Sequence, residues 1–323
     1  MSALLPDVDW RLAAELGGRR PQPGPTASRV EVAAAVDELK DAADRAIDLV
    51  SAASGLPVSA KPPVLVVDRP TWMQAAAEVA SELMGALGSG PPRHLGQKVS
   101  RRALATVVAP ALRFLSGRIL GQYDPFCCRF LLVAPNIVRT ERVLGVPPSD
   151  FRLWVCLHEQ THAVQFATAP WLSDHLLGLV RVVAQSSDGP PVPGRSRSMP
   201  FFIDLITSPD GRDALDRVSA VMGLLEGHAD VMMDRAATGV IGDVARIRTA
   251  FDAQRGAKQS VVAQQLGVSA KLEQYSAGAR FCREVLRFAD RETLNLAFRD
   301  ESSLPTLIEL AEPGRWLTRV RRG

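Results

Sequence analysis

His158-Glu159-Gln160-Thr161-His162 is the stretch of this chain best equipped for chemistry: two histidines four residues apart, with a glutamate directly after the first. On a helix, residues four apart lie one turn above each other, so both imidazoles project from one face. Two neutral imidazole nitrogens so placed can reach one zinc ion at about 2.0–2.1 Å. Glu159 then leans toward the open side of the ion. There it can take a proton from a zinc-bound water and pass it to a leaving amine. The spacing therefore points to one zinc ion and to hydrolysis of an amide-type bond. An incidental histidine pair on a surface helix is the bland alternative, and the flanking residues oppose it. Trp154, Val155, Cys156, Leu157, Ala163, Val164, Phe166 and Ala167 make the segment apolar. Polar groups in so apolar a helix need partners, which a metal supplies.

A zinc site of this kind needs a third protein ligand and an open fourth position. A third histidine in the extended pattern H-E-x-x-H-x-x-G-x-x-H would require Gly at 165 and His at 168. The chain has Gln165 and Thr168, which excludes that arrangement. The other common solution is a glutamate on a later helix with an aspartate four residues on. Glu226-Gly227-His228-Ala229-Asp230 offers it. Glu226 is the preferred third ligand, and Asp230 on the same face is expected to accept the outer N–H of a ligand histidine. His228 is the rival ligand. It stands roughly 200° around the helix from Glu226, so the two do not easily serve one metal. His228 is otherwise a candidate contact for a substrate oxyanion. Tyr275, with Arg280 soon after it, is a second such candidate, against the plainer reading of a half-buried helical tyrosine. His94 and His175 are expected to be structural or solvated.

Apolar periodicity predicts helices over 28–54, 71–87, 99–120 with an interruption near Pro110, 209–238, 242–254, 271–288 and 304–311, with another after Trp171. Short strands are predicted over 64–68 and 129–134, each ended by turn chemistry. The second is a candidate edge for pairing with an extended peptide. Pro147 to Asp150 announces the motif helix, with Ser149 or Asp150 as its N-cap. Polar loops are expected over 17–25, 88–96 and 185–199, the last a candidate flap. The expected fold class is α+β and predominantly α-helical, with a small sheet just before the motif helix. A helical N-terminal region, 1–120, is expected to pack on a catalytic region, 121–323.

The net charge of +3 is too small for the basic footprint of a nucleic-acid binder. No run reaches the eighteen or so apolar residues that span a bilayer. Asp7 and Asp9 replace the basic start of a signal peptide, so a cytoplasmic protein is expected. Cys127, Cys128, Cys156 and Cys282 form no C-x-x-C pair and make a poor disulfide framework. Cys156 is expected to be a small buried hydrophobe.

The H-E-x-x-H segment together with Glu226-x-x-x-Asp230 is similar to the gluzincin branch of zincin metallopeptidases. Over nearly its full length the chain resembles an actinobacterial family of zincin-like zinc-dependent metalloproteases or hydrolases. The matching stretches are Val8-Asp9-Trp10, Asp68 to Trp72, Gly121 to Pro125, Leu131 to Arg142, Asp150 to His162, Leu224 to Asp234, Gln274-Tyr275 and Leu304-Pro305-Thr306. One branch of that family is associated with biosynthesis of a deazaflavin coenzyme. The resemblance implies a zincin-like core, with His158, His162 and Glu226 as zinc ligands and Glu159 as general base. The substrate expected is a peptide or a small amide. The 64 residues from His162 to Glu226 (226 − 162) exceed the gap in the simplest gluzincins. Two other readings stay open: a zincin-fold protein that keeps its metal for a binding or assembly role, and a helical interaction protein without metal.

Overall fold

The computed structural model describes residues 8–58, 61–87, 95–186, 208–254 and 269–322, without the side chains of 95–98 and 269–276. His94 and nearly all of the predicted loop at 185–199 lie outside them. The fold is predominantly helical with one small sheet, as the class α+β requires. The described residues group into two compact units, each discontinuous in sequence. One comprises 3–45 and 61–159, the other 46–60 and 160–323.

The unit of 3–45 and 61–159 contains α1 (Trp10–Gly18), most of α2 (Arg29–Ser54), β1 (Val64–Val67), α3 (Arg69–Ala86) and α4 (Leu95–Ser116). It continues through β2 (Gly121–Asp124), β3 (Arg129–Val133) and α5 (Ala134–Leu144) into the first half of α6 (Pro148–Thr168). Ser28 and Glu31 form a reciprocal cap on α2: the Glu31 amide donates to the Ser28 hydroxyl at 3.3 Å, and the Ser28 amide to the Glu31 carboxylate at 2.7 Å. Asp68 caps α3 by accepting from the Thr71 amide at 2.9 Å. Pro110 lies inside α4 and does not end it.

The sheet order is β1-β3-β2. β3 pairs in parallel with β1 (Val64 opposite Phe130) and antiparallel with β2 (Gly121 opposite Leu132). The strand predicted as an edge is therefore the central one, because both its sides are paired. This corrects the expectation, and β1 and β2 take the two edge positions. β2 escaped prediction because its sequence, GQYD, carries no β-branched or alternating apolar pattern. The β2–β3 turn is closed by Asp124. Its buried carboxylate accepts from the amides of Phe126 and Cys127 at 3.1 Å and from Arg129 Nε at 3.0 Å. Pro135-Asn136, read as a turn, opens α5 instead. Proline in the first turn of a helix gives up an N–H that has no helical partner there. Asn136 serves the corner, donating to the carbonyls of Ser116 (2.7 Å) and Ile119 (2.6 Å) and accepting from Arg69 Nε (2.7 Å).

α6 starts one residue before the expected N-cap, so Ser149 and Asp150 fall in its first turn, where Asp150 suits the helix dipole. Buried Arg152 anchors this half. It makes a two-pronged pair with Glu141 of α5 at 2.7 and 3.0 Å and a further pair with Glu38 of α2. Cys156 is fully buried, as expected of a small hydrophobe.

The unit of 46–60 and 160–323 holds the second half of α6, then α7 (Trp171–Gln185), α8 (Pro209–Ala237), α9 (244–254) and α10 (Ser269–Phe288). The short helices α11 (Arg291–Asn295), α12 (Leu307–Ala311) and α13 (Pro313–Val320) complete it. α8 is the spine, packed against α7 and α10. Ser208 caps it, accepting from the Gly211 amide at 3.0 Å. α8 and α10 touch through bare backbone. A Cβ at Gly227 would meet the Gly278 peptide, and one at Gly278 would meet the Gly223 carbonyl. The neighbours are main chain and cannot turn aside, so Gly278→Ala must push the two helices apart. Overpacking of this kind costs about 1–3 kcal/mol. A drop of that size in urea denaturation of Gly278→Ala is expected, and unchanged stability would contradict the close crossing.

Candidate metal centre

His158 and His162 stand on one helix, α6, so one helical turn sets the relation between them. Their ring nitrogens and a carboxylate oxygen of Glu226, on α8, lie within 4.8 Å of one another. His162 Nε2 stands 3.8 Å from Glu226 Oε1. Ligands at about 2.0–2.2 Å from a tetrahedral zinc sit only a little closer together than that, and two imidazoles with one carboxylate are a hydrolytic zinc set. The residues present therefore fit the ion. None of the three is sealed off: the side chains of His162 and Glu226 keep 14% and 32% exposure, which leaves an approach from solvent.

Glu159 follows His158 on the same helix and meets the start of β2. A Cβ on Gly121 would lie 2.6 Å from Glu159 Cγ, so only glycine lets the strand approach this closely. Sequence reasoning named Gly121 only as part of a family stretch, because nothing local reveals a contact 38 residues away (159 − 121). Tyr123, two residues along β2, is on the same strand face as Gly121. Burial first, and then Cys128, push its phenol up to about 12, so it remains a neutral O–H at physiological pH.

The other expected residues fall differently. Asp230 pairs with Arg248 of α9, its two carboxylate oxygens each 3.2 Å from Nη1. The outer nitrogen of His162 is met instead by Gln165, whose Oε1 is 2.9 Å from Nδ1. The expectation that Asp230 would orient this ligand is corrected accordingly. Gln165 had entered only as the residue that breaks the extended histidine pattern. His228 is wholly buried, 3.0 Å from Gln165 Nε2 and edge-on to Phe298, with ring centroids 5.0 Å apart. It lies outside the donor cluster and lines no open cleft. This corrects both expectations for it, and the cause is the rotation of roughly 200° that separates it from Glu226 on α8. The side chain of Tyr275 lies outside the described residues. Arg280 donates to the Ala311 carbonyl at 3.2 Å. His175 is structural, buried beside Glu301 at 3.2 Å.

A helix-dominated fold with a small sheet and a cluster of two histidines and a glutamate that could hold a metal ion is what a zincin-like hydrolase requires. The chain is a member of the zincin-like metallopeptidase family, whose sequence profile matches residues 8–317. It is also similar to a crystal structure of a candidate hydrolase with a novel fold from Chloroflexus aurantiacus. The TM-score is 0.73 at 24% identity, covering 98% of this chain and 99% of that one. At that identity the likeness is one of fold. No curated protein matches the chain. The narrower actinobacterial grouping and the deazaflavin association are not reached by these matches. No helix among the described residues is long and apolar enough to cross a membrane.

Burial, and secondarily the neighbouring His162, push the His228 pKa down to about 3. An unfolded histidine titrates near 6.5. The unfolded chain therefore binds this proton first, so stability is intact above about pH 6.5 and falls as the pH drops toward 3. By pH 5 the group costs about 2 kcal/mol. His228→Asn, which keeps a hydrogen-bond acceptor, should shrink the loss of stability between pH 8 and pH 5 by that amount. Urea titrations of metal-stripped protein at both pH values would show it, and identical acid limbs in the two proteins would count against it.

Proposed function

We propose that the chain is a zinc-dependent hydrolase of peptide or other amide bonds, with His158, His162 and Glu226 as zinc ligands and Glu159 as general base. The observation that carries this is the convergence of the three donors from two helices, with Glu159 held one residue beyond the first of them. Zinc bound there supplies a Lewis acid that acidifies water and polarises a carbonyl. Glu159 takes the proton from the attacking water and delivers it to the leaving nitrogen, so the amine departs neutral. Its neighbours suit that work. Gly121 leaves the carboxylate room beside β2, and fully buried Cys156, its thiol pushed up by burial and then by Glu159 itself, stays uncharged.

β2 also favours a peptide over a compact amide. Its outer edge has no strand partner among the described residues. An extended chain can add to such an edge by main-chain hydrogen bonds. Added along Gly121–Asp124, it would carry its amide groups past Glu159.

Glu159→Gln should keep one zinc per chain and the wild-type fold, and lose hydrolysis of a peptide library by roughly 10²–10⁴-fold. Zinc content by elemental analysis and cleavage by mass spectrometry test this. A Gln variant that hydrolyses at the wild-type rate would sink the role given to Glu159. Glu226→Gln should weaken zinc binding in a chelator competition by at least tenfold, whereas His228→Asn should leave it within a few-fold. The reverse order would return His228 to the ligand set.

A further inference from the structure

We propose that Gln165 is a positioning residue that fixes the tautomer of His162, and that the Leu225 carbonyl dictates which end of the Gln165 amide faces that ring. The proposal deepens the zinc reading and rests on it for its purpose.

The argument is one of donors and acceptors. The two ends of a glutamine amide have the same shape, so only the hydrogen-bond network can orient them. Gln165 is fully buried, one turn after His162 on α6. One end of its amide lies 2.9 Å from the main-chain oxygen of Leu225. A carbonyl only accepts, so that end must be the NH₂ group. The amide oxygen is thereby turned to His162 Nδ1, 2.9 Å away. That oxygen also only accepts, so Nδ1 must carry the ring proton. The lone pair of His162 is left on Nε2, the nitrogen 3.8 Å from Glu226 Oε1. A zinc ligand needs its free lone pair on the metal side.

The second amide hydrogen points to His228 Nδ1 at 3.0 Å. That nitrogen accepts, so His228 carries its proton on Nε2, which finds no hydrogen-bond partner among the described residues. The two histidines thus hold opposite tautomers with one glutamine between them. His228 adapts its tautomer to the amide, and the Leu225 carbonyl keeps the amide from turning over, since a reversed amide would set its oxygen against that carbonyl. Leu225 directly precedes Glu226. One turn of α8 therefore supplies the third donor and also sets the proton on the second.

The test reads the tautomer without metal. Long-range ¹H–¹⁵N correlation on metal-stripped protein with ¹⁵N-labelled histidine reports which ring nitrogen is protonated, and loss of a signal in His162→Gln identifies the residue. His162 is expected with its proton on Nδ1. Gln165→Met, of similar shape but without the amide, should mix the two tautomers and weaken zinc binding by about 10–100-fold in chelator competition. A wild-type proton on Nε2 would overturn the proposal, even if the Met variant does not fold. So would a Met variant with unchanged tautomer and affinity. Wild-type protein with the Nδ1 proton but no affinity for zinc would remove the zinc reading and leave the tautomer assignment standing.

Discussion

One buried amide ties the second half of α6 to α8. Gln165 donates to the Leu225 carbonyl and to His228, and its oxygen faces His162. In a low-dielectric interior such a network is worth keeping only when it is complete, because each buried polar group left without a partner costs about 1–3 kcal/mol. A slip of α8 by one residue along α6 would break both bonds that reach α8 and leave the amide that faces His162 without its anchor. The same slip would carry Glu226 away from His162. The separation of the donor atoms is therefore not a delicate optimum set by the donors alone. It follows from a register that the apolar packing around it cannot give up.

Missing side chains do as much for the site as side chains do. Gly227 sits beside Glu226 and lets α8 lie directly on the backbone of α10 at Gly278. That contact gives the helix carrying the third donor a rigid backing. At the other approach, Gly121 lets β2 come up to Glu159. β2 is held at that depth by its pairing with β3, by the Asp124 turn and by the bond from Trp72 Nε1 to Gln122 at 2.8 Å. Arg152 in turn holds the first half of α6 against Glu141. The elements around the candidate centre are thus held by neighbours outside the donor cluster.

The His158–His162 pair, the place of Glu159 directly after His158 and the helical frame were legible in the chain itself. They rest on the helical period, which is a local property: residues four apart share a face whatever surrounds them. The long apolar runs of α2 and α8 were legible for the same reason, and Glu226 could be singled out because a carboxylate in such a run demands a partner. The short strand β2 was not legible, since its four residues form a strand only by pairing with β3. The opening of α5 was misread because proline and asparagine after a strand serve equally well in a turn and in a first helical turn.

Sequence alone thus determined which residue types stand within one helical turn of one another, and so which chemistry the chain can attempt. Tertiary structure decided the pairing between helices. Asp230, a plausible partner for a histidine on spacing, is turned to Arg248, while Gln165, which entered only as a break in the extended histidine pattern, meets the His162 ring. His228, a candidate ligand by type, is rotated into the core. The physical reason is that a hydrogen bond depends on which groups two separate helices bring within about 3 Å, and no local period encodes that meeting.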